Sequence, residues 1–368
     1  MTIDQREVVE HFRISGSLSL VEPFGRGHIN DTHVVSFVQT DGTTQRYILQ
    51  RINRSIFTDP PSVMENIEQV TRHLSSKIQA AGEDPLRETL NLVRTFDGSS
   101  YYRDSSGEFW RVFLFIEGAR TFELAETPQQ TYQAGWAFGN FQRQLADFPA
   151  SQLHETIPNF HNTALRFQSF TEAVQRDSFK RASSVQDEIQ FIEEHAAQTH
   201  ILVDMITQGS LPLRVTHNDT KFNNVMIDDQ TGRVICVLDL DTVMPGSALY
   251  DFGDAVRTGA ALVEEDAPDS SAAGMSLEFF ENLAHGYLDV ARSFLTPNEV
   301  NLLAFSARLI TLEQAIRFLG DYLNGDTYYK IHRPGHNLDR ARTQIGMVRD
   351  MESEEKSRKM DLIISKYR

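Results

Sequence analysis

Short apolar runs separated by turn residues dominate the start of the chain. Ser17–Phe24, Thr32–Gln39 and Arg46–Ile52 read as strands. A glycine-rich turn, Gly25-Arg26-Gly27, separates the first two, and Asp41-Gly42 supplies hairpin chemistry between the second and third. The pattern then changes. Val63, Ile67, Val70, Leu74 and Ile78 fall on one face of a helix. Two further strands are expected around Ser100–Arg103 and Trp110–Ile116, and the block ends at a hinge, Glu117-Gly118. Beyond it the pattern is helical, with helices expected over 128–146, 186–207, 276–293, 297–323 and 338–365. Thr296 suits a cap and Pro297 a first helical position. A strand-rich insert at 213–245 interrupts the helices, and Gly259–Gly274 reads as a mobile loop. The expectation is an α+β, two-lobed chain. Residues 1–117 form a small β-rich lobe, 118–368 a larger, mainly helical one, and the ligand crevice lies between them.

Composition narrows the function. A chain of 368 residues exceeds one small core, in keeping with two lobes. Its formal net charge of −16, with no basic stripe, argues against a nucleic-acid binder. The single cysteine, Cys236, lies in an apolar strand and has no partner for an intrachain disulfide, which suggests a reducing, cytoplasmic setting. The first residues are charged and helix-like, without the apolar centre of a signal peptide, and no apolar run reaches membrane-spanning length. Expected partners are therefore small molecules, with no nucleic acid and no membrane.

The chemistry concentrates between Val215 and Gly246. Asp219 is followed five residues later by Asn224, and the strand-like run Val234–Leu238 then delivers Asp239. Phosphoryl transfer needs this set: a carboxylate to orient and deprotonate a hydroxyl, an Asn oxygen on a metal, and a second carboxylate bridging metal and nucleotide phosphates. Protein kinases keep the same Asp-to-Asn interval in their catalytic loop. An isolated His-Asn-Asp is usually a turn, and an isolated Asp-Leu-Asp at a strand end usually a cap; the three together are what point to a magnesium-dependent, ATP-using kinase. Asp219 is the expected base, Asn224 and Asp239 the magnesium ligands, and Lys221 a cation for the γ-phosphate. His217 is expected to shape the loop by hydrogen bonding.

Other positions are softer. Gly25, Arg26 and Gly27 suit a loop over nucleotide phosphates, since glycines let backbone N–H groups approach anions closely, although two glycines between strands also make an ordinary hairpin. His28 and Asn30 at that loop are candidates to face the acceptor. The third strand, where a phosphate-binding Lys is customary, has none: Gln50 takes the inward position. Either the nucleotide is held without that ammonium, or Arg51 or another cation replaces it. Glu65 and Glu68 on the next helix are candidate partners. Glu117 at the hinge is expected beside the nucleotide. Glu313, Arg317 and Asp321 recur every four residues, which by spacing alone favours an exposed salt-bridge ladder; the other reading places Arg317, with Tyr328, in an acceptor pocket.

These residues resemble the aminoglycoside phosphotransferase/choline kinase superfamily, whose mark is H-x-D-x-x-x-x-N followed by a strand ending in Asp. Here the match is His217-Asn218-Asp219 to Asn224, then Val237-Leu238-Asp239, and Leu249–Asp254 resembles the superfamily's second block, whose first acid, Asp251, would brace the loop. The resemblance implies a bilobal, protein-kinase-like fold. Within the superfamily, PFGRGHINDTH at 23–33, RYILQRINRSIF at 46–57, LDLDTVMPGSALYDFGDAVR at 238–257 and RFLGDYLNGDTYY at 317–329 resemble kinases of the anomeric hydroxyl of N-acetylhexosamines. That likeness covers nearly the whole chain. It implies sugar contacts at His28, Thr242, Arg317 and Tyr328, so raising Arg317 from ladder to ligand, and it carries Gln50 with it. Arg26 stands where those kinases are expected to have an acid. Rival readings are a same-fold kinase of aminoglycosides, choline-like alcohols or other hexoses, with Glu264-Glu265-Asp266 as acids for a cationic acceptor; a nucleotide-binding pseudokinase; and a metal-dependent hydrolase.

Overall fold

The computed structural model describes residues 5–25 and 29–367, so the expectations at Arg26, Gly27 and His28 lie outside the described residues. Helix α1 (Gln5–Val9) leads into β1 (Ser17–Pro23), β2 (Asp31–Val38) and β3 (Thr44–Arg51), followed by helices α2 (Pro60–Ala80) and α3 (Pro85–Glu88). Strands β4 (Leu92–Val93), β5 (Tyr102–Arg103), β6 (Phe109–Leu114) and β7 (Ala119–Arg120) come next. The main sheet runs β1-β2-β3-β6-β4 with β5 beside β6, all antiparallel.

Alternation along these strands builds two cores. Leu49, Trp110 and Val112 face one side and pack with Val8, Val9 and Phe12 from the first helix and the turn after it. Ile48, Phe109 and Phe113 face the other, against the apolar stripe of α2 at Val63, Ile67, Val70 and Leu74. That second core continues into Phe141, Val215, Leu240 and Val243, so one apolar cluster spans the sheet and the helical part. Asn66 of α2 reinforces the junction by donating to the carbonyls of His154 and Val243 at 2.8 and 2.9 Å.

The remaining helices are α4 (Pro128–Gln144), α5 (Thr163–Arg176), α6 (Gln186–Glu194), α7 (Ile201–Thr207), α8 (Ala248–Gly259), α9 (Leu277–Ala291), α10 (Pro297–Leu323), α11 (His336–Glu352) and α12 (Glu354–Ser365). Between α7 and α8 lie β8 (Arg214–Thr216), β9 (Val225–Asp228), β10 (Val234–Val237) and β11 (Met244–Gly246). β8 pairs with β11, and β9 sits between β10 and β7. Thr296 and Glu299 close a reciprocal capping box at α10, with Pro297 following the cap. α4 and α9 cross at backbone contact: an added Cβ at Gly286 would stand 2.0 Å from the Tyr132 carbonyl oxygen.

Several expectations need correction. The helix expected over 186–207 is broken after α6 at His195, whose ring engages the Phe191 carbonyl and the Glu352 carboxylate. The helix expected over 338–365 divides at Ser353, which has an extended ψ of 139°. The expectations do not include α5 and α8; the apolar residues of α8 fall on one face, but its charged side is buried as well. The segment Gly259–Gly274 is fastened rather than loose. Glu265 pairs with Arg257, Asp266 meets His336 at 3.0 Å, and Ala261 bridges Met275. Among the described residues no helix is long and apolar enough to cross a membrane.

Candidate active site

A cleft of about 780 Å³ opens between the sheet and the helices, and Asn30, Asp219, Lys221, Thr242, Arg317 and Tyr328 are all on its wall. Gly25, Gln50 and Glu117 are not, and neither are the two expected metal ligands, Asn224 and Asp239. The catalytic-loop candidate follows β8 directly, and its shape is imposed from below. Asp251, in the first turn of α8 and fully buried, accepts the backbone N–H groups of His217 and Asn218 at 2.9 and 2.8 Å and the Gln142 amide at 2.7 Å. Burial raises its pKa even though His217 and these donors pull the other way. Asn218 takes a left-handed φ of 63°, which turns the chain so that Asp219 projects from the far side of the loop.

His217 joins the two acid-bearing segments. Its Nε2 donates to the Leu238 carbonyl at 2.7 Å, which leaves Nδ1 to accept the Asp219 N–H at 3.3 Å. Thr242 donates to the His217 carbonyl at 2.7 Å, and Asn218 donates back to the Thr242 carbonyl at 3.0 Å. Thr242 thus supports the loop as well as lining the cleft.

Asp219 lies 3.1 Å from the Lys221 ammonium. Burial works against its charge, but the Lys221 ammonium prevails and holds its pKa below the usual carboxylate value. Asn224 donates its amide to the Asp219 carbonyl at 2.9 Å, which directs its side-chain oxygen elsewhere. Asp239 also has a left-handed φ, 55°. Asp239 itself is exposed to solvent, but the protein packed around its carboxyl, together with the neighbouring Asp241 and Asp219, pushes it up to about 7. Neighbouring carboxylates that repel one another are groups whose charge a hard divalent cation relieves, and magnesium asks for few protein ligands because it keeps waters. Among the described residues there is no cluster of three or more His, Cys, Asp or Glu arranged to hold a metal, so a cation here would rest on the Asn–Asp pair.

On the sheet side, register explains the missing lysine. Gln50 of β3 stands directly opposite Arg111 of β6. Its Oε1 accepts Arg111 Nε and Nη2 at 3.0 and 2.9 Å, and its Nε2 donates to Thr32 at 3.1 Å, so both ends of the amide are engaged within the sheet. Arg111, only 1% exposed, extends to an ion pair with Asp241, two residues beyond Asp239. Asn30 donates to the other oxygen of Asp241 at 2.6 Å. The buried cation near the metal-site candidates therefore comes from β6. Arg51 instead pairs with Asp31 on the surface, Glu68 with Arg72 and Arg94, and Glu65 with His154. Glu117 is half-exposed, and its carboxylate faces Arg46.

The exposed ladder that spacing alone favours along α10 is not formed, because the side chains of Glu313 and Arg317, 3.9 Å apart, are both largely enclosed. Glu313 is fully buried and meets His161 at 2.9 Å, while Arg317 lies among the rings of Phe160, Tyr328 and Tyr329 at 5.0, 5.9 and 5.7 Å. Asp321 accepts the backbone N–H groups of Thr327, Tyr328 and Tyr329, each at 2.9 Å, and so fixes the turn that brings both tyrosines to Arg317. Sequence reasoning missed Arg111, Asp241, His161 and Asp254. Arg111 had a signal, a lone charge at an inward position of the apolar run Phe109–Leu114; His161 had none.

Several solved structures share this architecture. An aminoglycoside phosphotransferase from Alicyclobacillus acidocaldarius subsp. acidocaldarius has 13% identity over 100% of this chain and 96% of its own, with a TM-score of 0.59. A microcompartment-associated aminopropanol kinase has 15% identity over 96% and 98%, with a TM-score of 0.55. A spectinomycin phosphotransferase in complex with ADP and spectinomycin has 13% identity over 100% and 99%, with a TM-score of 0.56. At such identities the likeness is one of fold. A sequence-family model described as the phosphotransferase enzyme family matches residues 21–289, most of the chain, and with the loop geometry above this protein belongs to that family.

Proposed function

We propose that this phosphotransferase transfers the γ-phosphoryl group of ATP to the anomeric C1 hydroxyl of an N-acetylhexosamine, N-acetylglucosamine or N-acetylgalactosamine, giving the sugar 1-phosphate. One observation carries the choice of acceptor: the cleft presents a buried guanidinium among aromatic rings, while the acids around it already have cations. Asp254 and Glu265 share Arg257, Glu313 has His161, and Asp326 has Arg181. A polycationic aminoglycoside finds no uncommitted carboxylate cluster in such a pocket. A neutral sugar finds flat ring faces, and its acetamido and hydroxyl oxygens find the Arg317 and Tyr328 donors. The sequence resemblance to N-acetylhexosamine kinases across most of the chain supports the same reading.

In this proposal Asp219 orients the C1 hydroxyl and takes its proton as the oxygen bonds to the γ-phosphorus. The bond from that phosphorus to the β–γ bridging oxygen breaks, and ADP leaves with the electron pair. An anomeric hydroxyl is more acidic than an ordinary alcohol, which suits a carboxylate whose pKa Lys221 keeps low. Lys221 also offers positive charge beside the reacting groups. Asn224 and Asp239 would hold magnesium, which when bound neutralises phosphate charge. Thr242 and Tyr328 are assigned to the acceptor side with Arg317. Asn30, held by Asp241, is assigned to the mouth of the site.

An ATP-coupled assay over N-acetylglucosamine, N-acetylgalactosamine, other hexoses, kanamycin and choline tests the acceptor. Phosphorus NMR of the product separates position 1 from position 6. Turnover is expected with the N-acetylhexosamines and a 1-phosphate product; preference for kanamycin or choline, or a 6-phosphate, overturns the substrate assignment. Asp219→Asn is expected to abolish turnover while sparing ATP binding, and an active Asp219→Asn enzyme removes the base assignment.

A further inference from the structure

On the cleft wall beside the loop that carries Asp219 sits a histidine that the scheme above does not use. His161 is almost wholly enclosed, and both of its ring nitrogens face oxygen acceptors: Nδ1 the Glu313 carboxylate at 2.9 Å, Nε2 the Asn218 carbonyl at 3.1 Å. A neutral imidazole carries one N–H, so it satisfies one of these and turns a lone pair on the other; only the imidazolium donates to both. Burial alone would lower its pKa, but the Glu313 carboxylate outweighs that and the ring titrates above the ordinary histidine value, while Glu313 itself stays low. The surroundings agree in sign. Glu313 and, from α8, Asp254 favour the charge; Arg317 opposes it; Arg166 of α5 acts on Glu313. The rings of Phe160 and Tyr250, with centroids 4.7 and 5.0 Å away, enclose the imidazole.

We propose that His161 is a positioning residue that works as a permanent imidazolium: paired to Glu313, it grips the Asn218 carbonyl and thereby holds the peptide that aims Asp219. The inference rests on the assignment of Asp219 as the base. The Asn218 carbonyl belongs to the peptide that links it to Asp219, so a displaced carbonyl rotates the very unit that carries the carboxylate. Asp251 holds the N–H side of this turn and His161 the C=O side, so the strained Asn218 backbone is gripped from both faces. The same Glu313 lies 3.9 Å from Arg317, so the device ties the base to the acceptor pocket through one helix.

Histidine-selective nitrogen-15 NMR of the full chain tests the charge state, with His161→Gln identifying the signal. The wild-type ring is expected to carry protons on both nitrogens at about pH 8, where an unperturbed histidine of pKa ~6.5 is neutral. In Glu313→Gln the ring loses its counter-charge, and its titration moves toward or below the ordinary range. The kinetic signature is a fall in kcat on the order of 10- to 100-fold at about pH 8, the scale of a misplaced catalytic group, with less loss near pH 6 and little change in the KM for ATP. The acceptor is whichever sugar the panel selects. A neutral wild-type ring at pH 8, or a Glu313→Gln pH profile parallel to wild type, overturns the proposal. Failure of the base assignment looks different: Asp219→Asn then retains turnover while the His161 signal is unchanged. Should Glu313→Gln not fold, the wild-type titration decides alone.

Discussion

The buried pair between Arg111 and Asp241 gives the sharpest energetic prediction. Arg111→Met removes a guanidinium whose side chain is 2% exposed, beside a carboxylate 4% exposed. Afterwards Asp241 keeps one donor, Asn30 at 2.6 Å, while Asp239 remains close enough to repel it. Gln50 Oε1 loses both of its donors. Breaking a buried pair from one side costs about 3–5 kcal/mol, because the surviving charge stays desolvated. Against a typical folding free energy of roughly 5–15 kcal/mol, that is about a fifth of the margin or more. Urea denaturation should show a lowered midpoint with an unchanged slope, since the buried area is nearly the same. The decisive comparison is the cycle with Asp241→Asn. Once the carboxylate is neutral, Arg111→Met should cost clearly less, leaving mainly the orphaned Gln50 oxygen at about 1–3 kcal/mol. Two single-mutant losses that simply add, within ~0.5 kcal/mol, refute the claim that this pair is coupled.

Two further outcomes follow from packing and from titration. Gly286→Ala forces a methyl to 2.0 Å from the Tyr132 carbonyl oxygen at the α4–α9 crossing, so a loss at or beyond the upper end of the usual ~1–3 kcal/mol for overpacking is expected in thermal melts. A melting temperature equal to wild type contradicts the backbone contact. Glu88 has its carboxyl pushed up to about 7 by burial and by Glu83. A carboxyl whose folded pKa exceeds its unfolded value destabilises the fold progressively as pH rises from about 4.5 toward 7 and above. Glu88→Gln should therefore melt higher than wild type at pH 8 and close to it at pH 4.5; the opposite trend contradicts the sign.

Where the sequence was legible, one local signal sufficed. The first three strands are apolar runs bounded by turn residues and α2 buries one face, so composition or helical spacing betrays them, and α10 is announced by Thr296, Pro297 and Glu299. Where it failed, burial was complete or absent as a signal. α8 has an apolar stripe at Leu249, Phe252 and Val256, but Asp251, Asp254 and Arg257 are buried with it, which no period announces. Asp251 stands in its first turn, from where it braces the loop, a tertiary requirement that propensity does not contain. The breaks at His195 and Ser353 likewise depend on partners distant in sequence or on one backbone angle. Helical period alone runs through both.

The site divides along the same line. Asp219, Asn224 and Asp239 lie within one short segment, so their spacing could be matched against the chemistry of phosphoryl transfer. The groups that set their properties are scattered. Arg111 acts from 130 positions before Asp241, and His161 joins Asn218 and Glu313 from 57 and 152 positions away. The misread ladder shows why spacing is weaker than environment. Glu313, Arg317 and Asp321 have the four-residue interval of surface ion pairs, yet α10 is buried around all three, so each charge must find a specific partner rather than water. Glu313 takes an imidazole, Arg317 a cage of rings, and Asp321 the amides of the tyrosine turn. A charge repeat on a helix that elsewhere reads Leu312, Ile316, Phe318 and Leu319 is therefore better taken as the inner wall of a pocket than as a solvated face.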